Sequence, residues 1–154
     1  MRNRILTGLA AFACVALVAC STVATLGTDS NTALKELTAV RQAREQLYAR
    51  KDLAGLSKYH APNLTAKLAD GTRVDRAGYE ALLQKKMESD APVPTRITQL
   101  SQEETGYVAV VEGQGVSVRE TWKRTVDGWK LKAVEEASDP SAIASKKGEK
   151  KRAS

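Results

Sequence analysis

Cysteine is almost missing from this chain. The two present, Cys14 and Cys20, fall within the first twenty of 154 residues. From position 21 onward there is no thiol for a disulfide, a thiolate metal site or nucleophilic catalysis. His60 is the only histidine, and a lone imidazole has no second ligand for a metal. Nothing in the sequence calls for a cofactor. Aromatics make up only 5% of the residues, so most of them are needed for packing. Basic charge is in excess at +6, but Arg2 and Arg4 together with the stretch from Lys146 to Ser154 account for all of it. The body between them is neutral and lacks the clustered basic face of a nucleic-acid-binding domain.

The length suits one domain, and 42% hydrophobic residues suffice for a packed core. Before that domain, Met1 to Cys20 begins with two arginines and continues as an apolar run broken only by Thr7 and Gly8, the layout of a secretory signal peptide. The run ends in Leu17-Val18-Ala19-Cys20, which resembles the bacterial lipobox. That resemblance implies a signal peptide over 1–19, lipidation of Cys20 with palmitate-type chains, and Ser21 at the position that sends such proteins to the periplasmic face of the outer membrane. An uncleaved anchor in the inner membrane, or cleavage after Ala24 and secretion, are the alternatives. Each buried methylene contributes about 0.8 kcal/mol, so two or three acyl chains hold a protein durably. Residues 20–30 then form a tether of small, polar residues without charge until Asp29; Ser21 to Asp29 spans at most ~30 Å when extended.

Within 31–138 the pattern alternates between two periods. Leu34, Leu37, Val40, Leu47 and Tyr48 recur at helical spacing over Asn31 to Arg50, with Arg41, Arg44 and Glu45 on the remaining positions. A short helix from Asp52 to Tyr59 is stopped by Pro62. Leu64, Ala66 and Leu68 alternate as a short strand. Asp75 caps a third helix through Glu88, with Tyr79, Leu82, Leu83 and Met87 as its apolar stripe. Strands follow at about Arg96 to Glu103 and Tyr107 to Gly115. The stretch from Val116 to Glu136 reads as a hairpin about Asp127-Gly128, with Val116, Val118, Trp122 and Val126 on one parity. Residues 139–154 are a solvated basic tail, able to attract anionic headgroups or to solubilise the chain end.

Asp52-Leu53-Ala54-Gly55-Leu56 to Tyr59-His60-Ala61-Pro62-Asn63, then Ala69-Asp70-Gly71, then Glu120-Thr121-Trp122-Lys123-Arg124 to Asp127-Gly128-Trp129-Lys130-Leu131 resemble the SnoaL-like branch of the nuclear transport factor 2-like superfamily. The resemblance implies an α+β cone, a curved antiparallel sheet packed on three N-terminal helices, with a pocket for a small, largely apolar molecule. It also implies a tendency to form homodimers. Many relatives carry an acidic residue where this chain has Asn63, which weakens an enzymatic reading.

Three groups of side chains invite chemistry. With a two-residue Asp127-Gly128 turn, Glu120 faces Glu135, and two carboxylates sharing a proton suit general acid–base work; solvation at the open sheet end, with pairing to Arg119 or an arginine of the first helix, is the plainer role. His60 alone titrates near neutrality, though its place at a helix end suits capping. Tyr48, Tyr59, Tyr79, Trp122 and Trp129 can line a pocket or simply fill the core. No convincing catalytic set emerges. The expectation is a lipid-anchored envelope protein that binds a small apolar ligand or serves as an accessory module. The rivals are an isomerase or dehydratase on such a substrate, and a dimeric structural module of an envelope complex.

Overall fold

The computed structural model describes residues 29–137. The expected signal peptide, Cys20 with most of the expected tether, and the expected basic tail therefore lie outside the described residues.

Three aspartates start the three helices. Asp29 accepts from the Thr32 amide at 2.8 Å and opens α1 (Ser30–Ala49), Asp52 accepts from the Gly55 amide and opens α2 (Leu53–Ser57), and Asp75 accepts from the Gly78 amide and opens α3 (Arg76–Ser89). Each carboxylate satisfies an amide that the first helical turn leaves without a partner. Between α2 and α3 lie β1 (His60–Lys67) and β2 (Arg73–Asp75). After α3 come β3 (Arg96–Glu103), β4 (Gly106–Gly113), β5 (Val116–Thr125) and β6 (Gly128–Ala137).

The six strands form one sheet in the order β2-β1-β6-β5-β4-β3. All neighbours are antiparallel except β1 and β6, which run parallel, so the sheet is mixed. The second helix is shorter than the periodicity predicts. Pro62 does not stop a helix but sits inside β1, where the pairing with β6 shifts between His60 and Thr65. Proline has no amide to give to a ladder, and an irregular stretch is where a strand tolerates it. The three-residue β2 is too short to leave a periodic trace.

The last hairpin also differs from its sequence reading. Thr125 pairs with Gly128, so Val126 and Asp127 form the turn, and Gly128 takes φ +95°. Thr125 decides this locally. Its Oγ1 accepts from the Asp127 amide at 3.2 Å and donates to the Gly128 carbonyl at 2.8 Å. Only Gly128 then needs a positive φ, whereas the expected turn would demand one at Asp127 as well. Val126 is left wholly in solvent, at 102% exposure. Farther along, Lys132 is an extra residue between the pairs Trp122–Leu131 and Thr121–Ala133. This bulge keeps Trp129, Leu131 and Val134 turned to the same face.

That face meets the helices. Ala33 and Leu37 of α1 pack against Leu64 and Ala66 of β1, Tyr107, Ala109 and Val111 of β4, Trp122 of β5, and Trp129, Leu131 and Val134 of β6. Full burial of a large apolar side chain is worth roughly 1.5–3 kcal/mol. Of the expected stripe on α1, Leu37 is buried, Val40 packs against the core and Leu47 and Tyr48 are half-buried, whereas Leu34 gives way to its neighbour Ala33. Ala33 is fully buried while Leu34 is 39% exposed.

Candidate functional site

The inward line of α1 continues from Ala33 and Leu37 to Arg41 and Arg44, which the sequence reading had placed among the remaining positions of the helix. Both side chains are nearly buried, at 12% and 11% exposure. They reach Glu120, which shares the inward face of β5 with Trp122. Arg41 Nη1 donates to Glu120 Oε2 at 2.7 Å, and Arg44 Nη1 to Glu120 Oε1 at 3.4 Å. Trp122 Nε1 donates to Glu120 Oε2 at 3.0 Å, and the Arg44 guanidinium lies over the Trp122 ring at 5.3 Å. Arg41 Nη2 also donates to Thr95 Oγ1, and Thr95 gives its hydroxyl to Glu45 Oε1 at 2.7 Å and its amide to the same oxygen at 3.2 Å.

This network floors a cavity of about 340 Å³ between α1, α3, β5 and the loop after α3. Its deep end is Arg41, Arg44, Leu56, Tyr79 and Glu120, and Leu83 and Tyr48 continue the wall. Exposed residues of the loop after α3, Asp90 to Val93, and of the start of β5, Val116, form the rim.

Burial opposes the charge on Glu120, but Arg41, Arg44 and the hydrogen bonds from Arg41 and Trp122 outweigh it and hold its carboxyl below the ordinary carboxylate value. Glu120 is therefore an ionised acceptor with both oxygens engaged. Burial raises the Tyr79 phenol and also that of Tyr48, where the Asp90 charge adds to it. Both remain neutral donors at physiological pH.

The carboxylate pair does not form. Glu120 lies opposite Val134, while Glu135 lies opposite Arg119 on the other face and pairs with Lys67 at 3.1 Å. The Val126–Asp127 turn and the bulge at Lys132 move the register, and a one-residue move exchanges faces. His60 is the first residue of β1 rather than a helix cap. Its ring is wholly buried, its Nδ1 is 2.9 Å from Glu80 Oε1, and its ring stands edge-on to Tyr79 at 5.6 Å. Burial pushes the imidazole below its usual value. Burial works against the Glu80 charge too, yet hydrogen bonds from His60 and Arg76 bring that carboxyl down to about 2. His60 is not among the residues lining the cavity; Tyr79, against which its ring packs, is.

Of the five aromatics, Tyr48 and Tyr79 line the cavity. Trp122 is not in the lining; it lies against Arg44 and supports it from the core. Trp129 closes the far end of the core, giving its indole N–H to Glu36 at 2.8 Å and packing edge-on to Tyr107. Tyr59 contributes its backbone carbonyl, which accepts from the Leu131 amide at 2.7 Å. The expected pairing of a carboxylate with an arginine of the first helix forms, through Arg41 and Arg44 to Glu120; Glu45 and Thr95 are not foreseen as site residues. The signal for the arginines was present, since 33, 37, 41 and 44 follow one helical line.

No protein-family profile matches the chain, and no curated protein does. Solved structures do match. A nuclear transport factor 2-like protein of unknown function from Silicibacter pomeroyi superposes with a TM-score of 0.58 at 13% identity, over 71% of this chain and 98% of that one. A proposed dehydratase of the nuclear transport factor 2-like family from Streptomyces avermitilis gives 0.54 at 17%, over 70% and 96%. A protein of unknown function with a cystatin-like fold from Nostoc punctiforme gives 0.57 at 11%, over 73% and 94%. The fold is that of the nuclear transport factor 2-like α+β cone. Identities this low speak for architecture alone, and the same architecture hosts unrelated functions.

Proposed function

We propose that this chain is a lipid-anchored protein of the periplasmic face of the outer membrane, and that its SnoaL-like cone holds a small molecule without transforming it. The observation that carries the binding reading is the cavity of about 340 Å³ with a prebuilt polar floor and an apolar rim. Small-molecule sites combine an apolar concavity with a few fixed polar groups in this way. The preference for binding over turnover rests on Glu120, because a carboxylate kept ionised by two guanidiniums is a poor proton shuttle. Anchoring rests on the sequence of the first twenty residues, with Cys20 as the acylated position and the membrane as the partner.

Native mass spectrometry of the mature chain, followed by denaturation to release what it holds, tests the binding half. A discrete excess mass is the expected result; a bare chain from several expression hosts would count against it. Labelling with an alkyne-tagged palmitate tests the anchor, which Cys20→Ser should abolish, and persistence of label in that variant would remove the lipoprotein reading. The likeness to the Streptomyces avermitilis protein keeps a dehydratase as the second reading, for which Tyr79 would have to serve as the proton donor.

A further inference from the structure

We propose that the molecule held in the cavity is a small amphipathic acid with a single negative charge, its carboxylate received by Arg44 and its hydrocarbon directed along Leu56 and Leu83 toward the rim. The inference rests on the reading of the cavity as a ligand site and specifies what that site selects.

The acceptors around the two arginines are shared unequally. Arg41 is met twice, by Glu120 at 2.7 Å and by Thr95, which relays it to Glu45. Glu120 accepts from Arg41 and Trp122 with good geometry and gives Arg44 only a contact at 3.4 Å. Arg44 is as buried as Arg41, and the Nε–H of each is buried with no acceptor among the described residues; but Arg44 has only the 3.4 Å contact to a carboxylate, with the neutral Tyr79 hydroxyl as a further hydrogen-bond partner. The Trp122 ring supports the guanidinium through its face and offers no acceptor. A guanidinium brings five donors and a charge that cannot be shed, and leaving it poorly paired inside a protein is costly. The cavity therefore contains a desolvated cation with donors to spare.

A planar carboxylate matches a guanidinium with two parallel hydrogen bonds. The rest of the lining limits the ligand to one such group. Glu120 and Glu45 flank the arginines, and Asp90 stands at the rim, so a second negative charge would face acids on either side. Lys86 does not offset them, because its ammonium is turned to Glu136 at 3.2 Å. Pro92, Val93 and Val116 make the exit apolar, which suits a hydrocarbon tail.

The test uses the mature chain from residue 20 with Cys20→Ser, so that no acyl chain of its own competes. The Trp122 indole and Arg44 Nε–H resonances are followed by NMR during titration with octanoate, octan-1-ol, octyltrimethylammonium and octanedioate. Octanoate should move both resonances saturably and bind at least about tenfold more tightly than octanol, the scale of a charge-assisted hydrogen bond. Octanedioate should bind more weakly than octanoate, and the ammonium should not bind. Arg44→Gln should reduce octanoate to the level of octanol, and Arg44→Lys should retain part of the preference. Equal binding of octanoate and octanol, or tighter binding of the ammonium or the diacid, overturns the inference while leaving a ligand site. That comparison needs no variant, so it stands even if Arg44→Gln does not fold. Absence of saturable binding by all four probes overturns the ligand-site reading itself.

Discussion

Arg41 and Glu120 lie 79 positions apart in the chain and meet at 2.7 Å with side chains 12% and 7% exposed. This contact joins the middle of α1 to the centre of β5 and sets the depth of the cavity. It also makes the interior of the cone ionic where a hydrophobic core would otherwise continue.

Breaking this cluster from one side should cost more than replacing it whole. Glu120→Ala leaves two buried guanidiniums without their carboxylate and should destabilise the fold by about 3–5 kcal/mol. The triple substitution Arg41→Met, Arg44→Met and Glu120→Leu should be neutral, or stabilising by about 1–4 kcal/mol. Urea unfolding of the two variants measures both, and a triple variant no more stable than Glu120→Ala would show that the ion pairs themselves stabilise the fold.

Acid should weaken the fold in two stages. Burial depresses His60 below its usual 6.5, so the unfolded chain takes up that proton first and stability begins to fall as pH drops below about 6.5. Glu80 is lowered from 4.5 to about 2. Its contribution is complete above 4.5 and is lost as pH falls from 4.5 toward 2. Unfolding free energy measured between pH 8 and pH 3 should show both limbs, with His60→Phe flattening the upper and Glu80→Gln the lower.

Two hydrophobes that share a parity in the last hairpin should respond differently to substitution. Val126→Lys, at a fully exposed turn, should change stability by no more than about 0.5 kcal/mol. Trp122→Ala, at 1% exposure, should cost about 3–5 kcal/mol. Chemical denaturation midpoints decide it, and a large loss at Val126 would mean that the turn is centred elsewhere.

Filling the cavity separates binding from folding. Leu83→Trp adds a ring to the wall without touching the arginines and should remove any co-purifying mass in native mass spectrometry. The thermal midpoint should hold or rise, since cavity filling commonly adds about 0.5–2 kcal/mol. Retention of the ligand would place it outside this cavity.

Much of the fold was legible along the chain because local rules enforce it. Asp29, Asp52 and Asp75 announce helices through short-range hydrogen bonds, Pro92 and Pro94 separate α3 from β3, and alternation marks the long strands. What the sequence left open depends on partners far away. Alternation gives two faces to a strand but not which residue meets which across the sheet, and Thr125 with one extra residue at Lys132 sent Glu120 and Glu135 to opposite sides. Helical spacing gives the inward direction of α1 through Leu37 and Val40, but not which polar residues share it. Two arginines on that line look solvated until a carboxylate on β5, an indole beside it and a threonine before β3 remove them from water. The elements were written locally, whereas the site exists only where burial makes one charge depend on another across the whole fold.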